Sequence, residues 1–258
     1  MVVFGIHPVL EALRARRAVA VRFVDKESAR LREILDLARE SGVPVYREAP
    51  ERLEARARGQ VHQGVVAELA DAGGYSVADL VAGAAGAPLI VVLDGIEDPH
   101  NMGAILRTCD AAGVDGVVVQ ERRSAARSGV AAKASAGALA HVRIAEVVNV
   151  ARALEELKGL GVWTAGLAGE APQTYDQADL AGPVALVFGA EGTGLRRLVR
   201  ERCDYLVSIP MSGHVGSLNV SVSAGIALFE AVRQRRGGRS ESGPSIGSGR
   251  GSGRTVSR

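Results

Sequence analysis

Residues 89–107 read LIVVLDGIEDPHNMGAILR, an unbroken apolar run followed by a polar turn and a helical stretch. Leu89 to Leu93 are all large and apolar, without the alternation of a half-exposed strand. This predicts a strand buried on both faces, as in a parallel sheet. Asp98 is a favourable helix N-cap and Pro99 a favourable first-turn residue. The helix that they start would bury one stripe, formed by Met102, Ile105, Leu106 and Cys109.

Four more apolar runs of strand length follow this one. They cover residues 116–119, 162–165, 184–188 and 205–209, and each precedes a helical or loop segment. The alternation predicts an α/β domain, with helices on both sides of a parallel sheet, that ends near Arg236. Residues 237–258 are of low complexity with almost nothing to bury, which predicts a disordered tail.

The chain before residue 89 has a different pattern. Residues 1–70 alternate short apolar runs with charged helical ones, which predicts a small α/β domain. Its predicted helices cover 8–16 and 28–41, and its predicted strands cover 19–24, 43–46 and 64–69. Residues 71–88 are rich in glycine and alanine, and we expect a linker with one helical turn.

Composition and charge exclude some classes of protein. The chain is 47% hydrophobic and 23% charged, as in an ordinary globular protein, and a net charge of +2 neither requires nor excludes nucleic acid. Aromatic residues make up only 3%, which argues against binding by base stacking. Charged residues near the N-terminus and the lack of a membrane-spanning apolar run predict a soluble, cytoplasmic protein.

Positive charge lies almost entirely on arginine, since the chain has three lysines, Lys26, Lys133 and Lys158. Arginine is the better bidentate ligand for phosphate, although a genomic bias toward arginine codons explains the composition equally well. Cys109 and Cys203 are far apart in helical runs, and we expect free, buried, reduced thiols. Neither a metal-ligand spacing nor a Ser/His/Asp triad emerges, so no metal is expected.

A second polar cluster, FGAEGTGL, spans Phe188 to Leu195 after a buried strand. Three glycines in so short a loop favour a backbone that approaches a ligand closely. The spacing differs from a dinucleotide-binding fingerprint, and no lysine follows as in a phosphate-binding P-loop. A ligand-binding loop and a plain glycine-rich turn therefore both remain open.

A third cluster, IPMSGHVGSLNVS, spans Ile209 to Ser221. A strand ended by proline enters a loop of small residues, and a helix follows from about Asn219. Ser217 and Asn219 are natural caps, and the start of the helix offers free N–H groups to a ligand. The helix is apolar nearly all round, which predicts that its own core and another subunit cover it on every side.

These clusters resemble the three signature motifs of the SpoU (SPOUT) class of RNA ribose 2′-O-methyltransferases. D-P-x-N-x-G-x-x-x-R corresponds to Asp98–Arg107, F-G-x-E-G-x-G to Phe188–Gly194, and I-P-M-x-G-x-x-x-S-L-N-V-S to Ile209–Ser221. The resemblance covers residues 89–236. Within the class, the DPHN and GAEG forms and the opening GIHPVLEAL resemble bacterial 23S rRNA guanosine 2′-O-methyltransferases.

The resemblance implies S-adenosylmethionine as the cofactor, RNA, most specifically 23S rRNA, as the substrate, a homodimer, and a deep trefoil knot in the catalytic domain. It also implies an RNA-binding role for residues 1–70. The cofactor would contact the backbone of Gly189, Ile209 and Leu218, the three residues assigned to cofactor binding.

The resemblance implies five catalytic residues: Asn101, Arg107, Glu191, Ser217 and Asn219. Arg107 would assist attack by the ribose hydroxyl. Because free arginine stays protonated, we favour stabilisation of the developing alkoxide over proton abstraction. Asn101 would orient Arg107 or the ribose, and Glu191 would hold the arginine or its own loop. Ser217 and Asn219 would shape the site. From helical periodicity alone, Arg107 is equally a solvated arginine.

Two other functions stay open at this point. One is the same reaction on a tRNA ribose or on a different 23S rRNA nucleotide. The other is a non-catalytic RNA-binding or ribosome-assembly protein that keeps the fold. In either case residues 56–64, RARGQVHQG, could contact RNA or form a solvated turn.

Overall fold

The N-terminal part of the chain forms a four-stranded mixed sheet with three helices. The computed structural model describes residues 2–25, 28–57, 61–69, 74–121 and 138–237. The elements of this part are β1 (Val2–Phe4), α1 (Ile6–Arg14), β2 (Ala18–Phe23), α2 (Ala29–Glu40), β3 (Val45–Arg47), α3 (Pro50–Ala57) and β4 (Val65–Leu69). The strand order is β1-β4-β2-β3, in which β2 and β3 are parallel and the other pairs are antiparallel.

The predicted small α/β domain is confirmed, with two elements that sequence periodicity missed. Strand β1 has only three residues, too few to show a period. Half of the residues of helix α3 are charged, and it buries only Leu53 and Ala57. The predicted end of α2 is correct, because Gly42 adopts a φ of 68° just after the helix, a conformation that glycine takes without strain.

The second part of the chain is built on a six-stranded parallel sheet. Its elements are α4 (Val77–Ala82), β5 (Leu89–Asp94), α5 (Pro99–Ala112), β6 (Gly116–Gln120), β7 (Ile144–Val147), α6 (Val150–Gly159), β8 (Trp163–Leu167), β9 (Val184–Gly189), α7 (Arg197–Arg202), β10 (Tyr205–Val207) and α8 (Val220–Gly237). The strand order is β10-β8-β9-β5-β6-β7, and every neighbouring pair is parallel. The prediction of a parallel sheet is confirmed.

Both faces of the central strand β5 are buried, which explains its unbroken apolar sequence. Leu89, Val91 and Leu93 share one core with residues of α5 and α8. Ile90 and Val92 belong to a second core on the opposite face, with residues of α4 and α6. All five side chains are at most 2% exposed. Helices α5 and α8 therefore lie side by side on the same face of the sheet.

Strand β7 was not predicted from the sequence. Its four residues, Ile144 to Val147, include Glu146, and only Ala145 is fully buried. As the outermost strand next to β6 it has no need for a continuous apolar run. At the other edge, β10 ends at Val207, two residues earlier than the predicted run of 205–209.

The interval 71–88, predicted to be a linker with one helical turn, contributes a helix to the second core. A capping box between Ser76 and Asp79 starts α4, with Ser76 Oγ accepting from the Asp79 backbone N–H at 3.1 Å. Val77 and Leu80 are buried against the sheet face that carries Ile90 and Val92. Helix α4, within the predicted linker, therefore packs on the sheet of the second domain.

Helix α8 starts at Val220, close to the predicted start near Asn219. It buries one side, formed by Val220, Ala224, Ala227, Leu228 and Ala231. Val222 and Phe229 on the other side are 48% and 50% exposed. A single chain thus covers only one side of this apolar helix.

Cys109 is buried, Cys203 is partly buried, and both are free thiols. Burial raises the pKa of Cys203 to about 12 and that of Cys109 further still. Within the described ranges, no helix has the length and apolar character needed to cross a membrane. The predicted tail, from residue 238 onward, lies outside the described residues.

Candidate active site

The three predicted motifs meet at the carboxyl ends of the central strands. Asp94 ends β5 and pairs in register with Gly189, which ends the neighbouring strand β9. The polar turn before α5 and the glycine-rich loop after β9 therefore start side by side. In open parallel sheets, ligands bind at this edge.

Helix α5 is started by its predicted cap. The Asp98 carboxylate accepts from the backbone N–H of His100 at 3.0 Å and from that of Asn101 at 3.4 Å, and Pro99 occupies the first turn. This cap places Asn101 in the first turn with its side chain toward the glycine-rich loop. Asn101 is only 8% exposed.

Asn101, Glu191 and Asn219, one residue from each motif, form a hydrogen-bonded triangle. Asn101 Nδ2 donates to Glu191 Oε2 at 3.0 Å. Asn219 Nδ2 donates to Asn101 Oδ1 at 2.9 Å and lies 3.5 Å from Glu191 Oε1. Asn219 Oδ1 also accepts from the backbone N–H of Ser221, at 2.9 Å, and so caps the start of α8.

The loop that carries Glu191 is folded back tightly over the end of β9. Gly194 N–H donates to Ala190 O at 2.8 Å, and Gly192 and Gly194 have φ values of 80° and 66°. A Cβ added at Gly189 would lie 2.1 Å from the Gly194 carbonyl carbon, so only glycine fits there. Gly189 is thus required by the close approach of the loop's own backbone, which a plain turn explains, and the ligand-loop interpretation is supported by the cavity that this loop lines.

A cavity of about 360 Å³ lies between this loop and the segment that follows β10. Gly189, Ile209 and Leu218, the three predicted cofactor-binding residues, all line it. So do two of the predicted catalytic residues, Glu191 and Ser217. Its volume falls within the range typical of small-molecule sites. The structure therefore brings these five residues together at one cavity, and their roles stay predictions.

Glu170 and Arg200 also line this cavity and were not predicted from the sequence. Their side chains form an ion pair at its wall. Two hydrogen bonds hold the pKa of the Glu170 carboxyl below its usual range. The larger effect comes from the Glu170 backbone and the smaller from the Arg200 side chain. Glu170 and Arg200 both lie outside the three motifs, so nothing in the sequence indicated that their side chains would come into contact.

A second cavity, of about 340 Å³, adjoins the first on the side of β5. Ala190, Glu191, Thr193 and Gly194 line both cavities, so the glycine-rich loop is the wall between them. Asn101 lines the second cavity only.

The buried carboxylate of Asp94 forms an ion pair with the exposed Arg196 beside the second cavity, a contact that was not predicted from the sequence. Asp94 is 0% exposed. Its Oδ2 accepts from the backbone N–H of Arg196 at 2.8 Å, and its Oδ1 accepts from Arg196 Nε at 2.6 Å. The sequence did carry a signal for this contact. Asp94 directly follows the apolar run Leu89 to Leu93, and a carboxylate buried with such a strand requires a partner.

Arg107 is not brought to either cavity. It lies six residues after Asn101 on α5, about 9 Å further along the axis and on another side of the helix. Its side chain is exposed, and among the described residues it has no hydrogen-bond or ion-pair partner. Within one chain, neither Asn101 nor Glu191 contacts Arg107, because helix geometry turns the Asn101 and Arg107 side chains apart. The other predicted roles, Asn101 toward the ribose and Glu191 toward its own loop, stay predictions.

The predicted RNA-contacting segment of the first domain is partly engaged in other contacts. Arg56 pairs with Glu48 and Glu68, at 3.0 Å each, and Arg22 pairs with the same two glutamates. His62 Nε2 lies 3.0 Å from Glu54. Residues 58–60 lie outside the described residues. Arg56 is thus held in an internal network of charges.

The described residues contain no group of three or more His, Cys, Asp or Glu side chains placed to hold a metal ion. Asp94, Glu170 and Glu191 are instead bonded to guanidinium or amide donors.

Comparison with protein families places both halves of the chain. Residues 88–229 match the family model described as the SpoU rRNA methylase family. Residues 2–72 match a model described as RNA 2′-O ribose methyltransferase substrate binding.

Named relatives cover nearly the whole chain. The 23S rRNA (guanosine-2′-O-)-methyltransferase RlmB of Pseudomonas putida is 45% identical over 241 residues, which are 91% of this chain and 96% of that protein. RlmB of Ralstonia nicotianae is 47% identical, over 90% of this chain and 94% of that protein.

Solved structures of SpoU proteins are also similar to this chain. The SpoU methyltransferase AviRb from Streptomyces viridochromogenes, in complex with AdoMet, is 25% identical with a TM-score of 0.79, over 92% of this chain and 91% of that one. A TrmH/SpoU tRNA modifying enzyme from A. aeolicus is 33% identical with a TM-score of 0.55, over 66% of this chain and 88% of that one.

Proposed function

This chain belongs to the SpoU rRNA methylase family, and from that premise we propose that it transfers a methyl group from S-adenosylmethionine to a ribose 2′-hydroxyl of RNA, on a guanosine of 23S rRNA. The observation that carries the proposal is the triangle of Asn101, Glu191 and Asn219 beside a cavity of cofactor size. The RlmB relatives support 23S rRNA guanosine as the substrate.

The cavity suits S-adenosylmethionine in both shape and chemistry. Ile209, Leu218 and the neighbouring Leu195 offer apolar surface for an adenine ring, and the glycines leave backbone groups within reach of it. Of the charged side chains that line the cavity, Glu170 and Glu191 are negative and Arg200 is positive, a balance that suits a cofactor with a net positive charge. The AdoMet complex of AviRb supports this assignment.

The chemistry requires orientation and charge stabilisation from the protein. When bound, S-adenosylmethionine would supply a methyl group activated by its sulfonium. The ribose oxygen, a poor nucleophile while it is protonated, would bond to the methyl carbon as its proton is released, and the carbon–sulfur bond would break to leave S-adenosylhomocysteine. We assign Asn101 and Asn219 to orient the ribose, and Glu191 to fix both amides. Ser217 shapes the cavity wall. Fixed dipoles of this kind stabilise a developing charge without having to reorganise.

Arg107 acts, in this proposal, on the cavity of a second copy in a homodimer. It lies on α5, next to α8, whose Val222 and Phe229 are about half exposed although apolar. Thr108 of α5 approaches Gly225 of α8, so the outer sides of the two helices form one surface. A second copy that covers this surface would bury the apolar side chains and bring Arg107 to a neighbouring site, where it stabilises the alkoxide.

Mixed dimers test this arrangement. Dimers assembled from an Arg107→Lys chain and an Asn219→Asp chain should regain part of the activity that each variant lacks alone, because one of the two sites then has both native residues. Activity no higher than that of the separate variants would contradict a role for Arg107 across the interface.

We also propose that the chain forms a trefoil knot around the first cavity. After β10 at the edge of the sheet, the chain returns to the centre, where α8 packs on α5 and β9. The returning segment 209–218 lines the same cavity as the loop after β9. Joining the chain ends covalently in the folded protein tests the knot. After full denaturation a knotted circle should migrate faster in a gel than an unknotted circle of equal length.

Residues 1–70 are proposed to select the RNA, residues 71–88 to connect the domains, residues 89–236 to carry out methyl transfer, and residues 237–258 to form a dispensable tail. The two family models support the main division. We place the protein in the cytoplasm, because its proposed substrate is ribosomal RNA. Truncation after Arg236 should change RNA affinity modestly, mainly at low salt.

Methylation assays on separated RNAs test the function. The protein with radiolabelled S-adenosylmethionine should label 23S rRNA fragments, with a single 2′-O-methylguanosine on mapping, and leave tRNA unlabelled. Labelling of tRNA alone would contradict the substrate. No labelling of any RNA, with intact binding of S-adenosylhomocysteine, would favour the non-catalytic alternative.

A further inference from the structure

We propose that Asp94 and Arg196 are a positioning pair, an inference that rests on the proposed function. The pair holds the glycine-rich loop that carries Glu191, here called the Glu191 loop, in the geometry needed for methyl transfer. Asp94 is completely buried at the end of β5. Arg196 directly follows the glycine-rich loop and precedes α7. The pair therefore connects the end of β5, just before the first motif, to the chain just after the second.

The contact fixes residue 196 in position and in orientation. One carboxylate oxygen of Asp94 accepts the Arg196 backbone N–H at 2.8 Å, and the other accepts Nε at 2.6 Å and also contacts Nη2. A buried carboxylate is stable only with such partners, and removing one of them alone strongly destabilises a protein. The chain therefore cannot move at this point without breaking several charge-assisted bonds.

Both ends of the Glu191 loop are thus tied to the end of β5. Gly189 is held opposite Asp94 by the pairing of β9 with β5, and Arg196 is held by the Asp94 carboxylate. Between these points the loop is closed by the bond from Gly194 N–H to Ala190 O. Glu191 projects from this loop to Asn101 and Asn219, so a shift of residue 196 would displace the carboxylate from both amides.

The pair acts from the side away from the proposed cofactor. Asp94 and Arg196 line the second cavity and not the first, whereas the loop between them is the wall of both. Loss of the pair should therefore disturb Glu191 more than the cofactor-binding residues Ile209 and Leu218. The expected signature is a fall in kcat with little change in cofactor affinity.

The test uses the full chain with the pair removed together, as Asp94→Asn/Arg196→Met, so that no buried carboxylate is left alone. The kcat for a 23S rRNA fragment should fall by roughly ten- to a hundredfold, as expected for a reacting group displaced by about 1 Å. The Kd for S-adenosylhomocysteine, from calorimetry, should stay within a few-fold. Arg196→Lys, which keeps the charge and the backbone bond, should recover part of kcat.

Arg197→Met is the matched control. Arg197 is the next residue, and its side chain is 87% exposed and paired only with Glu201 in the described structure. This variant should keep the wild-type kcat. A fall in kcat equal to that of the double variant would show a general effect of charge near α7 and overturn the proposal.

A spectroscopic measurement separates this inference from the proposed function. The side-chain amide signals of Asn101 and Asn219, assigned by their loss in Asn→Ser variants, should shift and exchange faster in the double variant, because their bonds to Glu191 are lost. Unchanged signals, or a loss of S-adenosylhomocysteine affinity as large as the loss of kcat, would overturn the positioning role. If the wild-type protein methylates no RNA, the proposed function fails, and the amide signals still decide whether the pair positions Glu191.

Discussion

Asn219 Nδ2 donates a hydrogen bond to Asn101 Oδ1 at 2.9 Å, although 118 residues separate them. Each asparagine stands at the start of a helix, α5 or α8, and these helices pack against each other on one face of the sheet. The contact joins the first and third motifs, and Glu191 of the second completes it. The site is therefore a product of helix packing as much as of the loops.

Asn219→Asp should abolish most methyl transfer without unfolding the protein. The aspartate keeps an oxygen for the Ser221 cap but loses the donor to Asn101 and adds a negative charge next to Glu191. We expect kcat to fall about a hundredfold, with thermal stability close to that of the wild type. Ser221→Ala is the control, because it keeps the backbone N–H bond to Asn219 and should lose little activity. Similar kcat values for the two variants would contradict the role of Asn219.

Arg107→Lys should nearly abolish methyl transfer while the Kd for S-adenosylhomocysteine stays within a few-fold. Lysine keeps the charge but lacks the planar fork of guanidinium. Arg107 lies outside the proposed cofactor cavity, so binding should be spared. Asp110→Asn, an exposed change on the same helix, is the control for turnover. Near-wild-type turnover of the lysine variant would exclude Arg107 from catalysis.

A fragment that starts at Gly74 should bind S-adenosylhomocysteine and dimerise but lose most methylation of 23S rRNA, because the domain proposed to select RNA is absent. A fragment that starts at Gly86 also lacks Val77 and Leu80, which are 2% and 0% exposed. It should be less stable by roughly 3–6 kcal/mol, from the loss of two buried apolar side chains. Steady-state methylation and denaturant unfolding check the two expectations. Equal methylation by the Gly74 fragment and the full chain would show that the catalytic domain selects its own target.

Arg235→Met should destabilise the fold by about 2–4 kcal/mol, since four carbonyl groups, three of them in partly buried hydrogen bonds, lose their donors. The Arg235 guanidinium donates to Ala87 O at 2.7 Å, Pro88 O at 3.0 Å, Gly182 O at 2.7 Å and Leu180 O at 3.3 Å. It thereby ties the end of α8 to the starts of β5 and β9, and burial lowers its pKa from the usual range. Lysine, with a single ammonium, should rescue little. Arg236→Met, at an exposed neighbour, is the control in chemical denaturation.

Methyl transfer should persist in excess chelator when other salts keep the RNA folded. Asp94 and Glu191 are engaged by guanidinium and amide donors, and the described residues hold no group of three or more His, Cys, Asp or Glu side chains placed for a metal ion. Turnover with and without chelator, on RNA whose folding is checked in parallel, makes the comparison. A loss that is restored specifically by one divalent ion would contradict metal-free chemistry.

Local signals in the sequence predicted much of this molecule. Unbroken apolar runs indicated strands buried on both faces, and the Asp98 cap with Pro99 marked the start of α5. Such features depend only on residues that are neighbours in sequence, so they can be predicted without knowledge of the rest of the fold. The same logic failed where an element is short or at an edge, as in β1 and β7, because its burial is set by a strand distant in sequence.

The sequence by itself carried the three motifs, and their family resemblance singled out Gly189, Ile209 and Leu218, which line one cavity in the structure. Only the tertiary structure decided how they meet. The register of β5 against β9 placed Asp94 opposite Gly189 and gave the buried carboxylate its partner in Arg196. Helix geometry turned Arg107 away from Asn101 although both belong to one motif. Spacing along a chain constrains direction only within an element, whereas register and packing between elements set which side chains come within hydrogen-bond distance.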